Sequence, residues 1–118
     1  MPRPTAVVVD DHEGFRTLAI ELLREVGYDV VGSCSDGRSG LASVAETAPD
    51  LLLLDVQLPD LDGFAVLDAL RASGTGTTVV LVSTREAADY GGRISVSGIA
   101  GFISKGDLTP AALADLVP

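Results

Sequence analysis

Residues 51–54 are four consecutive leucines, and the next residue is Asp55. An unbroken apolar run this short, bounded by turn residues, is the pattern of a β-strand buried on both faces. Strands of that kind belong to parallel sheets covered by helices on each side. The run stops on a carboxylate, and Pro59, Asp60, Asp62 and Gly63 supply turn chemistry just beyond it. Open α/β sheets carry their ligand chemistry in the loops past the carboxyl ends of the strands. Taken alone, the stretch leaves two uses of Asp55 open: it terminates a strand, or it reacts.

The chain on either side repeats one alternation. Thr5 to Asp10 reads as a first buried strand. Phe15, Leu18, Ala19, Leu22, Leu23 and Val26 then recur at the spacing of one helical face, and Gly27 stops the helix. Tyr28 to Ser33 is a second strand. Ser35 or Asp36 caps a second helix, whose inward face is Leu41, Val44, Ala45 and Ala48 and which Pro49 ends. After the leucine strand, Asp62-Gly63 opens a third helix with Phe64, Leu67 and Leu70 inward. Thr78 to Val82 is a fourth strand, ending on Ser83-Thr84. The segment 86–97 is expected to be a short, poorly stable helix, because Gly91-Gly92 costs about 1 kcal/mol per residue relative to alanine. Ile99 to Ser104 is a fifth strand. Thr109-Pro110 starts a last helix, with Leu113, Leu116 and Val117 inward. Five strands alternating with five helices predict an α/β fold, a parallel sheet covered on both faces, in the order 2-1-3-4-5.

A chain of 118 residues is expected to form one domain, residues 1–118. Seventeen acidic residues against eight basic ones leave a net charge of -9, which argues against this domain gripping nucleic acid or an anionic membrane. The one cysteine, Cys34, cannot form an intrachain disulfide and reads as a small core residue, which fits a reducing compartment. No apolar run approaches the length of about 18 needed to span a bilayer. Met1-Pro2-Arg3-Pro4 runs into the first strand without a signal-peptide core. The expected location is cytoplasmic.

In this topology the carboxyl ends of the strands lie on one rim. The first strand ends in Asp10-Asp11, the third in Asp55, the fourth in Ser83 and the fifth in Lys105. Each has an ordinary structural use: Asp10, Asp11 and Ser83 as helix caps, Lys105 as a solvated turn residue. Together they suit one reaction. Carboxylates a few ångströms apart repel by about 4 kcal/mol at an effective dielectric near 20, so a cation or a proton must join them. Three oxygen donors suit a hard ion such as Mg²⁺, and no Cys or His cluster is present for zinc. A carboxylate can attack phosphorus to form an acyl phosphate, and Lys105 and Ser83 would then meet the phosphoryl oxygens. His12, in the first helical turn, is read as structural. Phe102 is either a core ring or one whose position depends on Ser83.

Assembled in this way, the chain resembles the receiver domain of two-component response regulators along essentially its whole length. The resemblance rests on Val-Val-Asp-Asp-His at 8–12, Leu-Leu-Leu-Asp-Val-Gln-Leu-Pro-Asp-Leu-Asp-Gly at 52–63, Val-Ser-Thr at 82–84 and Gly-Phe-Ile-Ser-Lys at 101–105. The Asp-Asp-His start and the absence of proline after Lys105 look most like NarL/FixJ-type receivers. What the resemblance implies is a CheY-like, flavodoxin-like fold with Asp55 as the phosphoacceptor. It implies Mg²⁺ held by Asp10, Asp11, Asp55 and the Gln57 main-chain carbonyl. Lys105 would pair with the phosphate, Ser83 would be the switch hydroxyl and Phe102 the switch aromatic. The donors would be a sensor histidine kinase or small acyl phosphates. Such a protein is a phosphoacceptor promoting its own phosphorylation and dephosphorylation rather than an enzyme on a separate substrate. A homodimer and a DNA-binding output domain, linked or separate, are compatible with it, and the short last helix leans toward a free-standing or trimmed receiver. Three positions depart from the family pattern: Gly106 stands where many members have proline, Phe102 lacks a tyrosine hydroxyl, and Gly91-Gly92 interrupts the fourth helix. The alternative is a receiver fold that dimerises or docks without phosphorylation. A flavin-type cofactor binder is disfavoured, because Asp-Asp-His-Glu after the first strand repels phosphate unless a metal intervenes.

Overall fold

The computed structural model describes residues 2–96 and 98–116. The chain runs β1 (Thr5–Val9), α1 (Glu13–Glu25), β2 (Asp29–Cys34), α2 (Gly37–Thr47), β3 (Leu51–Asp55), α3 (Gly63–Ser73) and β4 (Thr78–Ser83). A 3-10 turn (Ala87–Tyr90) and a one-turn helix, α4 (Arg93–Val96), lead into β5 (Gly101–Ser104). A second 3-10 turn (Lys105–Asp107) and α5 (Pro110–Leu116) follow. All strand pairs are parallel, in the order β2-β1-β3-β4-β5, as the alternation predicts. This is the CheY-like arrangement.

The leucine strand divides the interior. Leu51 and Leu53 join Ala19 and Leu23 of α1 and Leu113 of α5 in one core. Leu52 and Leu54 join Val44 of α2 and Leu67 and Leu70 of α3 in the other. All four are at most 1% exposed, and full burial of a leucine is worth roughly 1.5–3 kcal/mol. A slip of one residue would drag Asp55 into the apolar layers, at the cost of desolvating a charge. The run therefore sets the register that places Asp55 opposite Val82, one residue short of the β4 end.

Helix ends follow their capping residues. Asp36, rather than Ser35, caps α2 by accepting the Ser39 N–H at 2.8 Å. Asp62 caps α3 through the Ala65 N–H at 2.8 Å, and Thr109 accepts the Ala112 N–H at 3.1 Å ahead of the α5 body.

Several inward faces differ from expectation. Leu18 is 45% exposed, because α1 turns Ala19 and Leu23 onto the sheet and brings Ile20 partly under cover. Ala45 and Ala48 are exposed, and α2 instead lies down on Gly37, Gly40 and Val44. The reason is close approach: a Cβ at Gly40 would stand 2.7 Å from Val9 Cγ2. A contact made by absent side chains leaves no trace in an apolar count. The second strand runs one residue later than predicted and is half-exposed, as befits a sheet edge. Cys34 is half-buried against the second core. Within the expected helix over 86–97 the described residues form a 3-10 turn and a single α-turn, with Gly91 at φ +57° between them; residue 97 lies outside the described residues. The fifth strand starts at Gly101 rather than Ile99. Val117 lies outside the described residues. No helix among the described residues is long and apolar enough to cross a membrane.

Candidate functional site

The sheet register delivers the predicted rim. Val9 pairs with Leu54, Asp55 with Val82, and Ser83 with Ser104, so Asp10, Asp55 and Lys105 emerge side by side. The backbone beneath them is pinned. The Asp10 N–H donates to Cys34 O, the Val56 N–H to Val82 O and the Gly63 N–H to Val56 O, the last at 2.7 Å. Arg16, one turn into α1, donates to Asp10 O at 2.6 Å and holds the acidic turn from outside.

Asp10, Asp11 and Asp55 each offer a carboxylate oxygen, all within 4.8 Å of one another. Asp10 and Asp55 are buried and Asp11 is exposed. One Asp10 oxygen accepts the His12 N–H at 2.8 Å. The other meets the Lys105 ammonium at 2.7 Å and no further donor among the described residues. Lys105 also reaches Asp55 Oδ2 at 3.3 Å, and its ammonium lies 4.6 Å from the centre of the Phe15 ring. The remaining Asp55 oxygen accepts the Gln57 N–H at 3.1 Å. Asp11, His12, Phe15, Asp55, Gln57, Thr84 and Lys105 line a cleft of about 280 Å³, with Asp10 buried behind it. Hollows of about 450 and 400 Å³ elsewhere bring no carboxylate cluster together among the described residues.

The electrostatics follow from this crowding. Burial, and then the like charge of Asp10, raise the Asp55 carboxyl to a pKa of about 6, against the pull of the Gln57 N–H and Lys105. Burial works against the Lys105 ammonium, but the hydrogen bond to Asp10 and the charges of Asp55 and Asp10 outweigh it, and its pKa is raised. One ammonium thus serves two carboxylates that a third overlooks. A buried acid oxygen with a single cation for company is the donor arrangement that a hard divalent ion satisfies.

The loop after Asp55 is tied to the far side of the cleft. Asp60 accepts the Gly37 N–H at 2.7 Å, the Arg38 N–H at 3.0 Å and the Leu61 N–H at 2.8 Å. These bonds, Gly37 foremost, hold its carboxyl below the ordinary carboxylate range.

Ser83 and Phe102 are not in direct partnership. Ser83 is fully buried, with its Oγ 2.6 Å from the Tyr90 phenol oxygen, and the Tyr90 ring packs between Phe64 and Phe102 at centroid distances of 5.7 and 5.8 Å. Sequence reasoning overlooked Tyr90, Phe15, Arg16 and Thr84. For Tyr90 a signal existed: a lone aromatic seven residues after Ser83, in a stretch otherwise small or charged.

A five-stranded parallel sheet with an acid trio and a lysine on one rim defines the receiver class, and the comparisons agree. The family model of the response regulator receiver domain matches residues 6–117, and the chain belongs to that family. It is 34% identical over 112 residues to the response regulator GacA of Pseudomonas viridiflava, covering 94% of this chain and 50% of that protein. It is 31% identical over 99 residues to the virulence factors putative positive transcription regulator BvgA of Bordetella pertussis, covering 84% of this chain and 47% of that protein. Among solved structures, the signal receiver domain of the putative response regulator NarL from Mycobacterium tuberculosis superposes with a TM-score of 0.85 at 30% identity, covering 98% of both chains. The chain spans about half the length of these curated relatives and about a quarter of the protein-glutamate methylesterases it also matches.

Proposed function

We propose that residues 1–118 act as one receiver domain that takes a phosphoryl group onto Asp55 from a sensor histidine kinase, in the cytoplasm, and changes its interaction surface in response. The observation that carries this reading is the Lys105 ammonium bridging Asp10 at 2.7 Å and Asp55 at 3.3 Å inside the acid trio. A carboxylate so placed has a counter-charge at the point where a transferred phosphoryl group would sit.

In the step, a carboxylate oxygen of Asp55 forms a bond to phosphorus as the donor's own bond to phosphorus breaks. The electron pair leaves with the donor, a phosphohistidine imidazole or the carboxylate of a small acyl phosphate. Above a pH of about 6 Asp55 is ionised and ready to attack. Lys105 holds a phosphoryl oxygen, and Ser83 donates to another. The chain itself supplies position and charge rather than a separate catalyst's turnover. Asp10, Asp11, Asp55 and the Gln57 carbonyl would hold Mg²⁺, which when bound neutralises charge on the phosphoryl oxygens. Output is a DNA-binding domain, linked or separate, or a second copy of the chain. At -9 net charge this domain makes no direct contact with nucleic acid.

Incubation with acetyl phosphate and Mg²⁺, followed by intact-mass measurement, is expected to show one added phosphoryl group. Asp55→Asn is expected to show none, and Lys105→Ala to slow uptake about 100-fold, the usual effect of removing a donor to developing charge. Equal labelling of Asp55→Asn would defeat the reading. Separately, Mg²⁺ without any phosphoryl donor is expected to raise the melting temperature by mass action. Asp11→Asn should abolish most of that rise, and because Asp11 is exposed the variant is expected to fold. Titration calorimetry would check the same pair.

A further inference from the structure

A backbone N–H and a phenol meet one buried hydroxyl at the end of β4. Ser83 Oγ accepts the Arg85 N–H at 3.0 Å and lies 2.6 Å from the Tyr90 phenol oxygen. Ser83 itself is absent from the lining of the acidic cleft, where Thr84 forms the wall. Along β4 its side chain alternates with Val79 and Leu81 into the α3-side core, whereas Asp55 follows Leu51 and Leu53 to the opposite face. To serve a phosphoryl group on Asp55, the Ser83 hydroxyl must turn away from Tyr90.

Tyr90 is placed to respond. Its ring fills the slot between Phe64 and Phe102, and Phe102 has no hydroxyl of its own to offer Ser83. The Phe64 ring is in turn covered by the Arg93 guanidinium at 3.9 Å, which also pairs with Asp62 at 3.8 Å. The turn that carries Tyr90 is four residues long, exposes Ala87, Ala88 and Asp89, and is followed by Gly91 at φ +57°. The turn is capped by Glu86 and Asp89, and Ser104 Oγ, 3.0 Å from both Arg85 O and Glu86 Oε2, ties its start to β5; the Tyr90 phenol and ring join its end to Ser83 and to Phe64.

We propose that Tyr90 is the positioning residue through which this chain reads the state of Asp55. With Asp55 free, the phenol keeps Ser83 out of the cleft. With Asp55 phosphorylated, Ser83 rotates to the phosphoryl oxygens, and Tyr90 leaves the Phe64–Phe102 slot and carries the Ala87–Tyr90 turn with it. The polar contact that Phe102 cannot make has moved to a different element. This inference rests on the phosphoacceptor reading given above. The direction of the exchange follows from the acceptors: a hydrogen bond to a charged oxygen is roughly twice as strong as one between neutral groups. A phenol left without its partner in a half-buried slot is then better hydrated outside it.

The chain has two tyrosines, Tyr28 and Tyr90, so fluorotyrosine labelling yields two fluorine NMR signals, which Tyr28→Phe assigns. Tyr28 is buried beside Asp50 and lines a separate hollow with Pro4 and Pro49, and serves as the internal control. Acetyl phosphate with Mg²⁺ is expected to move the Tyr90 signal toward its solvent-exposed position and leave that of Tyr28 in place. Tyr90→Phe, which keeps the ring, is expected to take up phosphate about fivefold faster, since Ser83 is no longer detained. Protein shown by intact mass to be phosphorylated, with the Tyr90 signal unmoved, would overturn the relay alone. So would a Tyr90→Phe variant phosphorylated at the parent rate. No mass gain in the parent protein would overturn the phosphoacceptor reading, and the relay would fall with it.

Discussion

Asp55→Asn is expected to melt about 5 °C higher than the parent protein at pH 7.5 in the absence of divalent metal. The expectation comes from the cause of the raised Asp55 pKa, which is burial first and the charge of Asp10 second. Both act against the ionised form, so the native state binds a proton more tightly than the unfolded chain does. The sign is then fixed. The stability tied to that proton is fully present below the ordinary carboxylate value of 3.8 and is lost as pH rises through about 6. Above that pH the parent carries a buried, repelled charge that asparagine lacks. One pKa unit corresponds to about 1.4 kcal/mol. After a discount for solvent screening the difference is on the order of 1 to 2 kcal/mol, or roughly 5 °C for a chain of this size. The check is a pair of melting curves across pH 4 to 8. The gap between the two proteins should open between the two pKa values and stay constant above them. A gap that is absent, or reversed at pH 7.5, would mean that Lys105 compensates the site fully. Mg²⁺ should close the gap, because it stabilises the parent and not the variant.

Gly63→Ala is expected to lower the melting temperature by about 10 °C and to slow phosphoryl uptake by at least tenfold. A Cβ at this position would stand 2.7 Å from Asp55 O and 2.8 Å from Val56 Cα. Both are backbone atoms, and the Gly63 N–H is already bonded to Val56 O, so neither side has room to yield. Overpacking of this kind costs roughly 1–3 kcal/mol. The atoms pushed are the peptide of Asp55, the proposed phosphoacceptor, and an ångström of misplacement in a reacting group is worth up to about 100-fold in rate. Gly76→Ala is the control: its Cβ would meet nothing within 4 Å, and its melting temperature and uptake should be close to those of the parent. If Gly63→Ala is destabilised yet takes up phosphate at the parent rate, the loop has relaxed without moving Asp55.

Much of this molecule is legible in its residues because the informative boundaries are abrupt. Leucine gives way to Asp55 in one step, valine to Asp10, and serine to Lys105, and each step marks a strand end on a common rim. Parallel pairing then does the assembly, which no single segment encodes. The parts that were not legible depend on contacts between distant segments. The face of α2 is set by Gly37 and Gly40, whose value lies in the side chains they lack. Leu18 looks inward by spacing and is outward in fact, since Ala19 suits the close approach of α1 to the sheet better. Tyr90 acquires its place only when Ser83, Phe64 and Phe102 converge from three elements.

Asp60 gives the cleft a preferred direction of yield. Its carboxylate ties the loop after Asp55 to the first turn of α2 through the N–H groups of Gly37 and Arg38. On the other flank, the Ala87–Tyr90 turn meets the end of β4 through Ser83, and Ser104 Oγ ties its start to β5. A charge added at Asp55 would therefore face three backbone N–H anchors on one side and, on the other, the exchangeable contact of Ser83 with Tyr90. On the proposed reading the α2 clasp stays in place, and displacement is expected on the Tyr90 side of the rim.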